Sequence, residues 1–246
     1  MNGLFVTGTD TGIGKTALSA LLLAELRRRS INAAPMKPVQ TGCVAGGTGG
    51  VPDLDYSLSM ANLKVSPESY KNMSPYRFEP ACSPHLAAEM AGTEIDIAEM
   101  VIAARALTSD YDFVIAEGAG GVLVPLNQRE TMLDLMQALK FPVLLAARPG
   151  LGTINHTLLS IRALRADGLD IAGVVFVAST DDESGFIEDD NIATIEHFGK
   201  VPILGAIPYC AQLANFKFPV SGFKFQDSLP IPVVAEVEKI VNQLGV

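Results

Sequence analysis

Residues 5–16 read FVTGTDTGIGKT, a short apolar run that passes into a glycine-rich loop and then into the stripe Leu18, Leu21, Leu22, Leu26. This order, strand then loop then helix, is what a phosphate-cradling loop requires. Gly12 and Gly14 have no side chain, so the backbone can fold closely around phosphates and aim its N–H groups at them. Lys15 adds a mobile positive charge, and the Thr16 hydroxyl stands where a phosphate-bound Mg²⁺ needs an oxygen ligand. The first turn of the next helix contributes unpaired N–H groups and the positive end of its dipole. Strict G-x-x-x-x-G-K-T spacing asks for glycine at position 9, where this chain has Thr9, with Gly8 one place earlier. The plainer alternative, a glycine-rich turn bearing a surface lysine, leaves this combination of residues unexplained.

Short runs rich in Val, Ile and Leu recur at residues 3–7, 32–36, 112–116, 142–147, 172–177 and 202–207. They are apolar on both faces, the mark of buried parallel strands. Helical patterns fill the intervals at 16–29, 55–63, 84–91, 97–107, 132–139, 154–166 and 191–198, and a last one lies at 233–244. The alternation predicts an α/β fold: a P-loop NTPase-type three-layer sandwich with a mostly parallel central sheet, whose ligands sit at the carboxyl ends of the strands. Asp96 reads as a helix N-cap with Glu99 as its reciprocal partner, and Gly168 and Gly199 as helix-ending residues. Residues 42–53 read as a glycine-rich loop able to order over ligand, and residues 213–229 as an irregular Phe-rich excursion.

The 246 residues, 48% of them hydrophobic, suffice for one α/β domain spanning 1–246 that buries roughly 70% of its unfolded surface. A net charge of -9 argues against nucleic acid or an anionic membrane as the main partner. Three scattered cysteines without C-x-x-C spacing suggest a reducing compartment. No apolar run approaches the length of a membrane span and the first residues enter a strand at once, so the expected location is cytoplasmic.

Strand ends supply the candidates for chemistry. Lys37 follows the second apolar run and precedes Pro38, which fixes the backbone there. Its ammonium is placed to neutralise a phosphoryl group or a carboxylate; the alternative is a solvent-facing lysine. Glu117 ends the third run and opens EGAGG, the place for a carboxylate that holds Mg²⁺ or its water shell. Asp55 or its neighbour Asp53 would complete that shell, and spacing does not separate them; either also suits a helix N-cap. GLGTINH, residues 150–156, again sets glycines before a helix start, a geometry suited to an anion. His85 and His197 read as packed or solvent-facing residues.

Taken together, FVTGTDTGIGKT from Phe5, KPVQTG from Lys37, SPH at Ser83, EGAGG at Glu117, LGTINH at Leu151 and GAIP at Gly205 closely resemble the dethiobiotin synthetases, ATP-dependent cyclo-ligases of biotin biosynthesis. The likeness spans nearly all of the chain up to the Phe-rich segment. It implies that 7,8-diaminononanoate and CO₂ form a carbamate, that ATP converts this to a carbamic–phosphoric anhydride, and that the second amine closes the ring. Lys15 and Lys37 would stabilise the developing charge. Thr16, Asp55 and Glu117 would organise Mg²⁺. Thr11, Gly12, Ile13, Gly14, Lys15, Thr16, Glu117 and Pro208 would bind ATP, and Thr11, Lys37, Thr41 and Ser83 the substrate. The family is homodimeric, so Gly152, Thr153, Ile154 and Asn155 would complete the substrate site of the other subunit. One position departs from the pattern: Val177 stands where well-known relatives carry an asparagine for adenine.

Overall fold

A computed structural model describes residues 2–43, 50–181, 185–214 and 225–246 of the chain. Its first third contains β1 (Gly3–Gly8), α1 (Lys15–Arg28), β2 (Ala33–Met36), β3 (Val39–Gln40), α2 (Pro52–Met60), α3 (Pro67–Met73) and β4 (Tyr76–Arg77). The middle holds α4 (Pro84–Met90), α5 (Ile97–Asp110), β5 (Phe113–Glu117), α6 (Met132–Leu139), β6 (Val143–Ala147) and α7 (Thr153–Ala166). There follow β7 (Ile171–Val177), α8 (Phe186–Gly199), β8 (Ile203–Ile207), α9 (Ala211–Ala214), α10 (Phe225–Ser228) and α11 (Ile231–Leu244).

The main sheet has the order β2-β5-β1-β6-β7-β8, every pairing parallel. These are the six strands that the apolar runs predict. Side chains alternate between two cores: Leu4 and Val6 of β1, with Phe113 and Ile115 of β5, pack among residues of α1 and α11. Phe5, Val114 and Ala116 pack on the other side, with Met100 and Leu107 of α5 and Leu135 and Met136 of α6. Both faces are therefore covered, which is why the strands carry no polar alternation. With β5 on one side of β1 and β6 on the other, the chain changes direction at the centre of the sheet, where such folds open a crevice. The loops that leave β1 and β5 meet there: a Cβ on Gly121 would lie 3.4 Å from the Thr9 carbonyl oxygen and 3.5 Å from that of Gly8.

Several expectations need correction. The helix after the loop is not a one-sided stripe; Ala20, Leu23 and Ala24 are buried too, because α2 and α11 both pack on α1. Within it Glu25 is fully buried, accepting from Arg28 at 2.7 and 2.8 Å and from Arg29 at 2.7 Å, while Arg28 also reaches Glu238 of α11. The helix expected from residue 55 starts at Pro52, since proline suits the first helical position. The helix expected from residue 191 starts at Phe186.

The small parallel sheet β3-β4 and the helix α3 were not foreseen: strands of two residues are too short to show a period. Asp96 does cap α5, accepting from the Ala98 N–H at 2.7 Å, but Glu99 instead accepts from the Tyr76 hydroxyl at 2.7 Å, so the reciprocal cap is absent. Gly168, at φ 70°, ends α7 as expected; at α8 the left-handed residue is Lys200, φ 48°, and Gly199 lies inside the helix. Residues 44–49 of the glycine-rich loop and 215–224 of the Phe-rich excursion lie outside the described residues.

Candidate active site

The crevice at the end of β1 is a cavity of about 760 Å³. Gly12 and Gly14 of its loop have φ of 72° and 92°, the left-handed region where glycine carries no steric penalty. Gly14 has a second constraint, since a Cβ there would meet Val177 Cγ1 at 2.6 Å. Lys15 Nζ turns back across the loop and donates to the Asp10 carbonyl at 2.6 Å.

Lys37 is held from two directions. Its backbone N–H donates to Met73 C=O at 2.7 Å, at the end of α3. Its ammonium donates to Glu117 Oε1 and Asp53 Oδ2, each at 2.7 Å, and to the Gly118 carbonyl at 3.1 Å, so all three protons are used. Glu117 Oε1 also accepts the Thr16 hydroxyl at 2.7 Å. A single carboxylate oxygen at the tip of β5 thus joins the start of α1 to the chain leaving β2.

Burial pushes the Lys15 ammonium down to about 8, helped by the charge of Lys37 and opposed by Glu117, Asp53 and Asp10. Burial also acts against the Lys37 charge, but Glu117 and Asp53 more than offset it and hold that ammonium above the usual lysine range. Glu117 is pushed up, by burial first, with Lys37 and Thr16 acting against the shift. The cleft therefore contains two cations and two carboxylates in close balance. Thr16 Oγ1, Glu117 and Asp53 present only hard oxygen donors to it, a set that suits Mg²⁺ completed by phosphate oxygens.

Of the residues singled out from the sequence, Thr11, Gly12, Ile13, Gly14, Lys15, Thr16, Lys37, Thr41, Ser83, Glu117 and Pro208 all line this one cavity. Asp55 does not. Its Oδ1 accepts from the Tyr70 hydroxyl at 2.7 Å, and that hydroxyl in turn accepts the Val51 N–H at 2.9 Å, so Asp55 ties α2 to α3. Of the two aspartates that the spacing left open, Asp53 lines the cavity. Gly152, Thr153, Ile154 and Asn155 stand at the start of α7 and are not part of the cavity wall; Thr153 is buried against Thr157 at 3.2 Å, and Leu151 before them is 90% exposed.

Residues unforeseen in the wall include Gln40, Cys82, Val124 and Ser179. Only Gln40 had a signal, its place inside KPVQTG. Cys82 carries none, because a lone cysteine reads the same in a core and in a cavity.

A family model described as an AAA domain matches residues 2–217. The chain is 42% identical over 228 residues to the ATP-dependent dethiobiotin synthetase BioD of Anaeromyxobacter sp. (strain K), covering 92% of this chain and 100% of that one. It is 38% identical over 204 residues to the protein of the same name from Methanococcus vannielii, covering 83% and 92%. Among solved structures it is similar to the septum site-determining protein MinD of Pyrococcus horikoshii complexed with Mg-ADP, with a TM-score of 0.63 at 15% identity over 97% of this chain and 93% of that one. A ParA family ATPase from Chlorobium tepidum gives 0.60 at 13% identity, covering 99% of each. At such identities these two likenesses establish the P-loop fold alone, whereas the sequence relatives establish the kind of enzyme. The chain belongs to the ATP-dependent dethiobiotin synthetase family.

Proposed function

We propose that the whole chain acts as one unit that converts 7,8-diaminononanoate, CO₂ and ATP to dethiobiotin, ADP and phosphate. The observation that carries this reading is the single cavity walled at once by the phosphate loop, by Lys37 and by Thr41 and Ser83. A nucleotide and a second small molecule fit side by side in a volume of this order.

One substrate amine adds to CO₂ through its lone pair and releases a proton, giving a carbamate. A carbamate oxygen attacks the γ-phosphorus of ATP, and ADP leaves. The second amine attacks the carbonyl carbon of the resulting anhydride, and phosphate leaves as the ring closes. Each of the first two steps creates or moves negative charge, and Lys15 and Lys37 are fixed cations beside it in a buried site. Ring closure requires the two amines to be held in reach, a matter of proximity that the walls at Thr41 and Ser83 serve. Thr16, Asp53 and Glu117 would hold Mg²⁺, which when bound neutralises phosphate charge. Among the described residues no helix is long and apolar enough to cross a membrane.

The active form is a homodimer in which the start of α7, residues 152–155, meets the substrate carboxylate of the other subunit. Exposed Leu151 and Leu159 on that side are in keeping with a covered surface. The test of function is phosphate release with ATP and Mg²⁺ while diaminononanoate and bicarbonate are supplied singly and together. Turnover that needs both supports the reading. Release without either points instead to a regulatory ATPase, and release driven by another acid with an amide donor points to an amidoligase.

A further inference from the structure

Gln40 ends β3 and lines the cavity, yet it is only 8% exposed. Its Nε2 donates to the Thr41 carbonyl at 2.9 Å. This bond decides which way the amide faces, because the flipped form would set Oε1 against a carbonyl oxygen. Oε1 is then a buried acceptor with no hydrogen-bond donor among the described residues. The nearby ammonium of Lys37 does not supply one, its three protons being taken by Asp53, Glu117 and the Gly118 carbonyl.

A buried acceptor at a cavity wall is satisfied by a ligand that brings an N–H or O–H group. The diamine of the proposed reaction brings two amines. Resting on that reading, we propose that Gln40 Oε1 accepts a hydrogen bond from one amino group of the diamine and is a specificity-determining residue of the substrate site. An amine nitrogen keeps its lone pair when it donates an N–H, so the contact orients that lone pair without consuming it. A site built around such an acceptor discriminates against an analogue without the donor more strongly than an apolar wall does.

The test uses Gln40→Met, which keeps length and burial and removes the acceptor. The KM for the diamine should rise about tenfold or more while the KM for ATP stays unchanged. In the unaltered protein, 7-aminononanoate and 8-aminononanoate, as competitive inhibitors, should differ in affinity, the weaker being the one that lacks the amine read by Gln40. In Gln40→Met that difference should shrink. Gln40→Ala, where water can replace the amide, is the second variant if thermal unfolding shows that the first does not fold. An unchanged diamine KM, or parallel rises in the KM for diamine and for ATP, overturns the inference. Absence of turnover dependent on diamine and bicarbonate in the unaltered protein overturns the functional reading and this inference together. Normal turnover with insensitive Gln40 variants overturns this inference alone.

Discussion

Lys37 Nζ and Thr16 Oγ1 both donate to one atom, Glu117 Oε1, each at 2.7 Å. The phosphate loop, the exit of β2 and the tip of β5 therefore share a single carboxylate oxygen, and the position of each depends on the others.

Removing Lys37 leaves Glu117 and Asp53 facing each other without their cation. Lys37→Ala should keep the fold, since either carboxyl can take up a proton, but should lower kcat by about 10²-fold or more. Thermal unfolding and product formation measured on the same sample check this. Near-normal turnover would exclude Lys37 from the mechanism.

Lys15, held at about 8 by burial, predicts a pH effect of known sign. Phosphate oxygens favour the ammonium, so nucleotide binding raises this value and takes up a proton near pH 8. Affinity for the nucleotide should be level below about pH 8 and fall above it, by up to about tenfold per pH unit. Without nucleotide the lowered value means that the unfolded chain binds more protons between about 8 and the ordinary 10.5, so fold stability rises with pH through that window. Calorimetric titration in buffers of different ionisation enthalpy measures the proton uptake. No uptake at pH 8 would contradict the buried position of Lys15.

Asp53 and Asp55, two residues apart, should separate cleanly by substitution. Asp53→Asn removes an anion from the cavity and should reduce Mg²⁺-dependent turnover by about tenfold or more, with little effect on melting. Asp55→Asn weakens the link to Tyr70 and should cost about 1 kcal/mol of stability, leaving the Mg²⁺ dependence of turnover as it was. The reverse pattern would return the metal role to Asp55.

What the sequence disclosed follows from how local each signal is. Strands buried on both faces announce themselves as unbroken Val, Ile and Leu runs, and the loop's glycines are required by two positive φ angles at Gly12 and Gly14. Lys37 and Glu117 were visible because strand ends in such sheets converge on one crevice. Asp53 was not distinguishable from Asp55 because the deciding partner, Tyr70, sits on α3, a seven-residue helix without a readable period. Cys82, Val124 and Ser179 reach the cavity through tertiary packing that no nearby spacing encodes. The pairing of Lys37 with two carboxylates likewise joins residues 16 and 80 positions apart, which only the fold brings together.

Val177 ends β7 beside the loop, and its Cγ1 would lie 2.6 Å from a Cβ at Gly14. Its aliphatic side chain offers the base no hydrogen bond. Pro208 beside it in the cavity wall has no backbone N–H to donate either. Recognition of a nucleobase at this end is then left to backbone groups around residues 208–211 or is weak, with Val177, Cys210 and Leu213 offering apolar surface that all bases can cover. Turnover with CTP and GTP is accordingly expected within about tenfold of that with ATP in kcat/KM. Val177→Asn, which adds a donor and an acceptor at the strand end, should shift the ranking among the three. A preference for ATP of about a hundredfold or more in the unaltered protein would show that base-specific hydrogen bonds are made elsewhere in this wall.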